Sequence, residues 1–326
     1  MKIRLTGPCL AALVVCTHTQ AETLEEIVVS ATHDSRTIDV IETLSVSPDV
    51  TQLLREAPGA NVNSNGPITS IPQYRGMYGP RIAVSLNGSM LAPAGPNWMD
   101  PPLSYAMTAQ LESLQVYRGI TPVSVAQESI GGVVDAHTRR GEFNTGDDIA
   151  FSGRIMGSGQ SINEGYQADA ELLASTRQQR LKLAAMTQQG SNAEFPDGDI
   201  LPTEYTRQRY DIGYGFRQGS HTFQLEYGYH DAGDSGTPAL PMDINYIEGD
   251  LYNLSYAYEG SDSPNWFISV FGSELDHGMS NYHLRAAPEP ARWRRNIADT
   301  RNAGFKVGAV WNEENGLWKA GIDGFE

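Results

Sequence analysis

The sequence predicts a small N-terminal α/β domain followed by an antiparallel transmembrane β-barrel. Three observations carry this prediction. The N-terminus reads as an export signal. Short strands between Gly and Pro punctuation fill residues 47–140. From about residue 147 apolar and polar residues alternate, with aromatic residues gathered along the apolar face.

The export signal comes first. Lys2 and Arg4 precede the apolar run "LTGPCLAALVVC", and "THTQA" ends in small residues, so residues 1–21 read as a signal peptide cleaved after Ala21. Both cysteines, Cys9 and Cys16, lie inside it, so the exported chain has no disulfide and no thiolate. Without Lys2 and Arg4 the chain keeps 21 basic against 39 acidic residues, a net charge of −18, which argues against a nucleic-acid partner. No run of 18 apolar residues follows the N-terminus, so helical membrane spans are excluded.

Residues 22–32 hold the apolar, β-branched patch Ile27–Ala31 between acidic and polar neighbours. Such a segment suits strand addition to a partner's sheet edge. Residues 33–142 form the predicted α/β domain. In "SPDVTQLLREAPGA" Ser47 is placed to cap a helix, Pro48 to start it and Pro58-Gly59 to end it. Strands are predicted in "RIAVSLNG", which closes in an Asn87-Gly88 turn, in "LESLQVYRG" and in "GGVVDAHTRR".

Residues 143–326 carry the barrel pattern. Phe223, Leu225, Tyr227 and Tyr229 share one face of "HTFQLEYGYH". Tyr252, Leu254, Tyr256 and Tyr258 repeat it, as do Phe305, Val307, Ala309 and Trp311. Short connections at 217–221 and 261–265 alternate with a long one expected across 231–250. That asymmetry is typical of outer-membrane barrels.

Together these segments resemble TonB-dependent outer-membrane receptors. "EEIVVSA" resembles the TonB box, "PDVTQLLREAPGA" the first helix of the plug domain, and "YRGMYGPRIAVSLNG" with "LESLQVYRGITPVSVAQESIGGVVDAHTRR" the rest of that plug. Asn87, Ser113 and Gln115 depart from the charged residues usual there. The resemblance implies a location in the outer membrane of a Gram-negative bacterium, in contact with its lipid. It implies energised import of a metal or metal chelate rather than enzyme activity, and no prosthetic group. It implies pairing of Glu26, Ile27, Val28, Val29, Ser30 and Ala31 with TonB, which an inner-membrane complex energises. It also implies that Arg75, Arg118 and Arg139 hold the plug against barrel carboxylates. Such barrels have about 22 strands. Residues 142–326 give room for about seven or eight, so an N-terminal fragment or truncated gene product is expected.

The resemblance extends to the copper receptors of the family. Their plug loop carries Cys-x-x-x-Met in an "xPNxMDPP" frame, and a barrel strand carries His-x-Met. Here the loop is "GPNWMDPP", with Gly95 at the cysteine position, and the strand holds His277-Gly278-Met279. The implied metal ligands are Met99, His277 and Met279, with copper as transported cargo. Thioethers and imidazole suit a soft ion such as Cu(I). His277 and Met279 are two apart and share a strand face. Met99 as a simple packing group is the competing reading. The loss of the cysteine leaves a ferric-siderophore or cobalamin-type receptor as the alternative cargo class. A non-transporting surface binding protein, or a phage or bacteriocin receptor, is the alternative of another kind. The sequence carries no HExxH, GxSxG, P-loop or GxGxxG motif.

Overall fold

The computed structural model describes residues 35–39, 47–119, 125–126, 129–261, 264–313 and 316–326. The expected signal peptide and the expected TonB-box segment Glu26–Ala31 lie outside them. Residues 33–326 pack as one compact unit.

The inner domain is built from β1 (Ser35–Asp39), β2 (Ala60–Ser64), β3 (Ser70–Tyr74), β4 (Met77–Tyr78), β5 (Ala83–Leu86), β6 (Ser89–Met90), β7 (Leu111–Arg118) and β8 (Gly132–Thr138). Five of these form a sheet in the order β1-β7-β8-β5-β6, and β2-β3-β4 form a second. The β5–β8 pair is parallel. The β5–β6 hairpin closes through Asn87 at φ 53° and Gly88 at φ 75°. Both lie in the left-handed region that the Asn-Gly pair adopts most readily.

The predicted α-helix is instead a 3-10 helix, Val50–Glu56. Its cap is Asp49, not Ser47: the Asp49 carboxylate accepts from the Thr51 amide at 3.0 Å. Ser47 supports that cap by accepting from the Asp49 amide at 3.3 Å. Only nine residues separate Pro48 from Pro58, too few to nucleate a stable α-helix alone. Val50 and Leu53, and Thr51 and Leu54, are the buried pairs, the three-residue spacing of a 3-10 turn.

The barrel part has β9 (Ala150–Gln160), β10 (Gly165–Ser175), β11 (Gln179–Gly190), the small hairpin β12 (Ala193–Phe195) and β13 (Gly198–Ile200), then β14 (Tyr205–Gln218), β15 (His221–Ser235), β16 (Asp243–Tyr258), β17 (Asn265–Ser280), β18 (Arg295–Glu313) and β19 (Gly316–Phe325). Nine of them pair in the order β19-β18-β17-β16-β15-β14-β11-β10-β9, with β9 and β19 as unclosed edges. Among the described residues no helix is long and apolar enough to cross a membrane.

Outward residues follow the predicted alternation. Leu225, Leu254 and Val270 are about half exposed, while Gln224, Asn253 and Ser273 on the opposite face are buried. Tyr256 lies 5.0 Å from Trp266 and 4.7 Å from Phe223, an aromatic girdle beside the short turns. Phe267 and Phe271 have inward parity yet are aromatic. Glycines explain this: a Cβ at Gly308 would meet Phe267 at 2.7 Å, and one at Gly304 would meet Phe271 at 2.4 Å. The rings lie over bare backbone of the neighbouring strand.

The long loop expected across 231–250 is mostly strand. β15 runs to Ser235 and β16 starts at Asp243. The ladder continues past the apolar band, where alternation in the sequence is lost but backbone pairing is not. Arg285 clamps what remains, donating to Asp243 Oδ2 at 2.6 Å and to the Leu240 carbonyl at 2.9 Å.

The core crosses the seam between inner domain and wall. Leu53, Leu103, Leu111 and Leu114 pack in one cluster with the barrel residues Ile244, Ile247 and Leu275. Polar side chains reinforce it. Arg140 reaches Glu226 at 2.9 Å. From the wall, Arg207 donates to the carbonyls of Ser104 and Pro48, Arg209 to that of Tyr105, and Arg180 to that of Gly141.

Candidate functional site

The "GPNWMDPP" loop is two short 3-10 turns, Pro96–Trp98 and Pro102–Tyr105, hinged at Met99 and Asp100. Proline fixes φ at three of its positions and removes three amide donors, so a longer helix cannot form. Asp100 closes the loop. Its Oδ2 accepts from the Ala94 amide at 2.9 Å and from the Tyr105 hydroxyl at 2.6 Å. Its Oδ1 accepts from the Gly95 amide at 2.6 Å. Burial first, then the adjacent Asp100 carboxylate, push the Tyr105 phenol well above its ordinary range, so it stays a hydrogen-bond donor.

This loop meets β17. His277 Nδ1 lies 3.3 Å from Asp100 Oδ1. A Cβ at Gly95 would stand 2.5 Å from His277 Nδ1 and 2.5 Å from Asp100 Oδ1. The imidazole and the carboxylate therefore occupy the space that a side chain at Gly95 would take. Gly95 and Asp100 bracket the turn that holds Met99, and both abut His277. Met279 follows on the same strand face, opposite Ile244, with His277 opposite Ile247. Met99 is 3 % exposed, and Asp100, His277 and Met279 are 0 % exposed.

Burial on this scale departs from the solvated histidine usual at a barrel rim. Neither ring nitrogen of His277 makes a hydrogen bond, because the 3.3 Å contact to Asp100 is not aligned as one. A buried polar group without a partner costs about 1–3 kcal/mol, and such groups are uncommon in folded proteins. Ser280 Oγ and Ser235 Oγ, at the outer ends of β17 and β15, are also buried without a partner. Among the described residues no three His, Cys, Asp or Glu side chains gather as a metal site. Any metal site here depends on thioethers.

The arginines that the sequence points to divide. Arg139 lies 3.4 Å from Glu171 of β10 and donates to the Leu111 carbonyl at 2.7 Å. Burial lowers its pKa, with Glu171 opposing the shift. Arg118 is half-buried at the end of β7. Among the described residues Arg75 faces no barrel carboxylate: it is exposed, at φ 49°, with its guanidinium 5.4 Å over the Tyr74 ring. The left-handed turn at Arg75-Gly76 directs it outward. Trp98 packs on Gly79, where a Cβ would be 3.5 Å from the indole, and serves the loop's fit to the inner domain.

Two features escape sequence reasoning. In the sequence Asp100 is only one letter of a frame, although an Asp between Met and two prolines is well placed to cap its own loop. Arg207 and Arg209 belong to no motif. Their alternation in "YTRQRYD" puts both on the inward face of β14, where only a polar partner could accept them.

Comparison with known proteins fits this geometry. Residues 29–133 match the TonB-dependent Receptor Plug Domain. No curated protein sequence matches the chain. Among solved structures, the copper transporter OprC superposes with a TM-score of 0.78 at 22% identity, covering 89% of this chain and 45% of that one. The FrpB iron transporter from Neisseria meningitidis gives 0.71 at 15% identity, covering 89% and 48%. A ferric enterobactin receptor from Pseudomonas aeruginosa, PfeA, gives 0.65 at 13% identity, covering 90% and 49%. The chain spans about half the length of these receptors. Residues 29–133 thus carry the plug-domain family of the TonB-dependent receptors, and the nine-stranded, unclosed sheet packed against them has the fold of those receptors' barrel wall.

Proposed function

We propose that this chain is the plug and first barrel strands of an outer-membrane importer whose cargo is copper, held by Met99, His277 and Met279. One observation supports the reading above the others. His277 is wholly buried, has no hydrogen-bond partner, and abuts the loop that carries Met99, with Met279 beside it on the same face. A soft ion would satisfy the orphaned nitrogen and use the two thioethers, which hard ions do not favour. Superposition on the copper transporter, at a higher TM-score than on the iron and enterobactin receptors, agrees with this choice. Import is energised through TonB at Glu26–Ala31. The test is the metal content of the purified full-length receptor after exposure to Cu(I) under reducing conditions. Near-stoichiometric copper, lost in Met99→Ala and in Met279→Ala, is the expected result. Absence of bound copper refutes the reading and directs attention to ferric siderophores.

A further inference from the structure

We propose that Asp100 is the positioning residue of this site: it selects which nitrogen of His277 faces the cargo, and it locks that choice to the Met99 loop. The inference deepens the cargo reading above and rests on it.

A carboxylate offers about four acceptor directions. Three are taken by the Ala94 and Gly95 amides and the Tyr105 hydroxyl. The fourth is not used in a hydrogen bond, and His277 Nδ1 lies 3.3 Å from Oδ1 beside it. An acceptor-only group beside Nδ1 favours the tautomer with its proton there, which leaves the Nε2 lone pair for a ligand. Nε2 is buried and makes no hydrogen bond. Carboxylates commonly orient metal-binding histidines in this way.

The arrangement depends on Gly95, because any Cβ there would strike both Asp100 Oδ1 and His277 Nδ1 at 2.5 Å. It is also anchored in the wall. The Tyr105 carbonyl accepts from Arg209, and the Tyr105 ring meets His230 edge-on at 5.4 Å. One carboxylate thus joins the loop, the imidazole and, through Tyr105, strands β14 and β15.

The test uses the full-length receptor, with Ag(I) as a redox-inert soft probe and Cu(I) for X-ray absorption. Asp100→Asn is expected to weaken Ag(I) binding about 10- to 100-fold. Its Cu(I) spectrum is expected to lose the nitrogen scatterer and keep the sulfur scatterers, matching His277→Ala. Loss of the sulfurs together with the nitrogen would show a loop-folding role and overturn the orienting one. If Asp100→Asn does not fold, Tyr105→Phe removes one donor to Asp100 and keeps the ring. An approximately fivefold loss of Ag(I) affinity is expected there, the worth of one net hydrogen bond. Unchanged affinity in either folded variant overturns the role of Asp100 alone. An unaltered receptor that binds neither ion overturns the cargo reading and this inference together.

Discussion

Gly95→Ala is the sharpest perturbation the geometry offers. Gly95 has φ −73° and ψ 144°, a conformation alanine adopts without strain. The change therefore tests space rather than backbone freedom. The added methyl would sit 2.5 Å from His277 Nδ1 and Asp100 Oδ1, about 0.9 Å inside the 3.4 Å at which ordinary contact begins. Either the imidazole or the carboxylate must move. Both are fully buried, so the move disturbs packing and costs about 1–3 kcal/mol. Alanine offsets about 0.4–1 kcal/mol of this by restricting the unfolded chain. Global stability should thus fall by no more than about 2.6 kcal/mol. Ligand geometry carries the larger effect, because the ring that moves is the one proposed to bind. A full 1–3 kcal/mol at the site corresponds to about 5- to 150-fold weaker Ag(I) or Cu(I) binding. The assay is metal titration of the full-length receptor beside its thermal unfolding. Binding as tight as in the unaltered protein, in a folded variant, would show that His277 has room to spare and that the site is not built as described.

Two further outcomes follow from other parts of the molecule. His137 Nε2 lies 3.2 Å from Asp135 Oδ2, and that hydrogen bond raises the histidine pKa against the opposing effect of burial. The raised pKa stabilises the plug below about pH 6.5, and this contribution is lost as pH rises through the folded value. Because the histidine is 35% exposed, the effect should stay below about 1 kcal/mol. His137→Gln should flatten that part of a stability–pH curve, and an unchanged slope would refute the pairing. Val28→Pro removes an amide and constrains φ in the segment proposed to pair with TonB. It should abolish uptake in cells while metal binding to the purified receptor persists, and undiminished uptake would refute strand pairing with TonB.

Much of this protein is legible in the chain. Strand periodicity is local, so Phe223, Leu225, Tyr252 and Leu254 announce the lipid face before any contact is known. The Asn87-Gly88 turn and the strands Leu111–Arg118 and Gly132–Thr138 are legible for the same reason. Helix type is not. "VTQLLRE" suits an α-helix or a 3-10 helix by composition, and flanking prolines together with burial against β2 and β3 decide it.

The candidate site shows the same division. Residue types in "GPNWMDPP" and "HGM" determine which soft donors exist and that His277 and Met279 share a face. Only the tertiary structure brings Gly95 against His277, across 182 positions of sequence. It also empties the imidazole of hydrogen bonds, turns Asp100 inward to hold the loop, and sends Arg75 out to solvent while Arg139 meets Glu171. The physical reason is range. Propensity and alternation act between neighbours along the chain, whereas exclusion of volume and loss of water act between elements that meet only when the plug sits inside the wall.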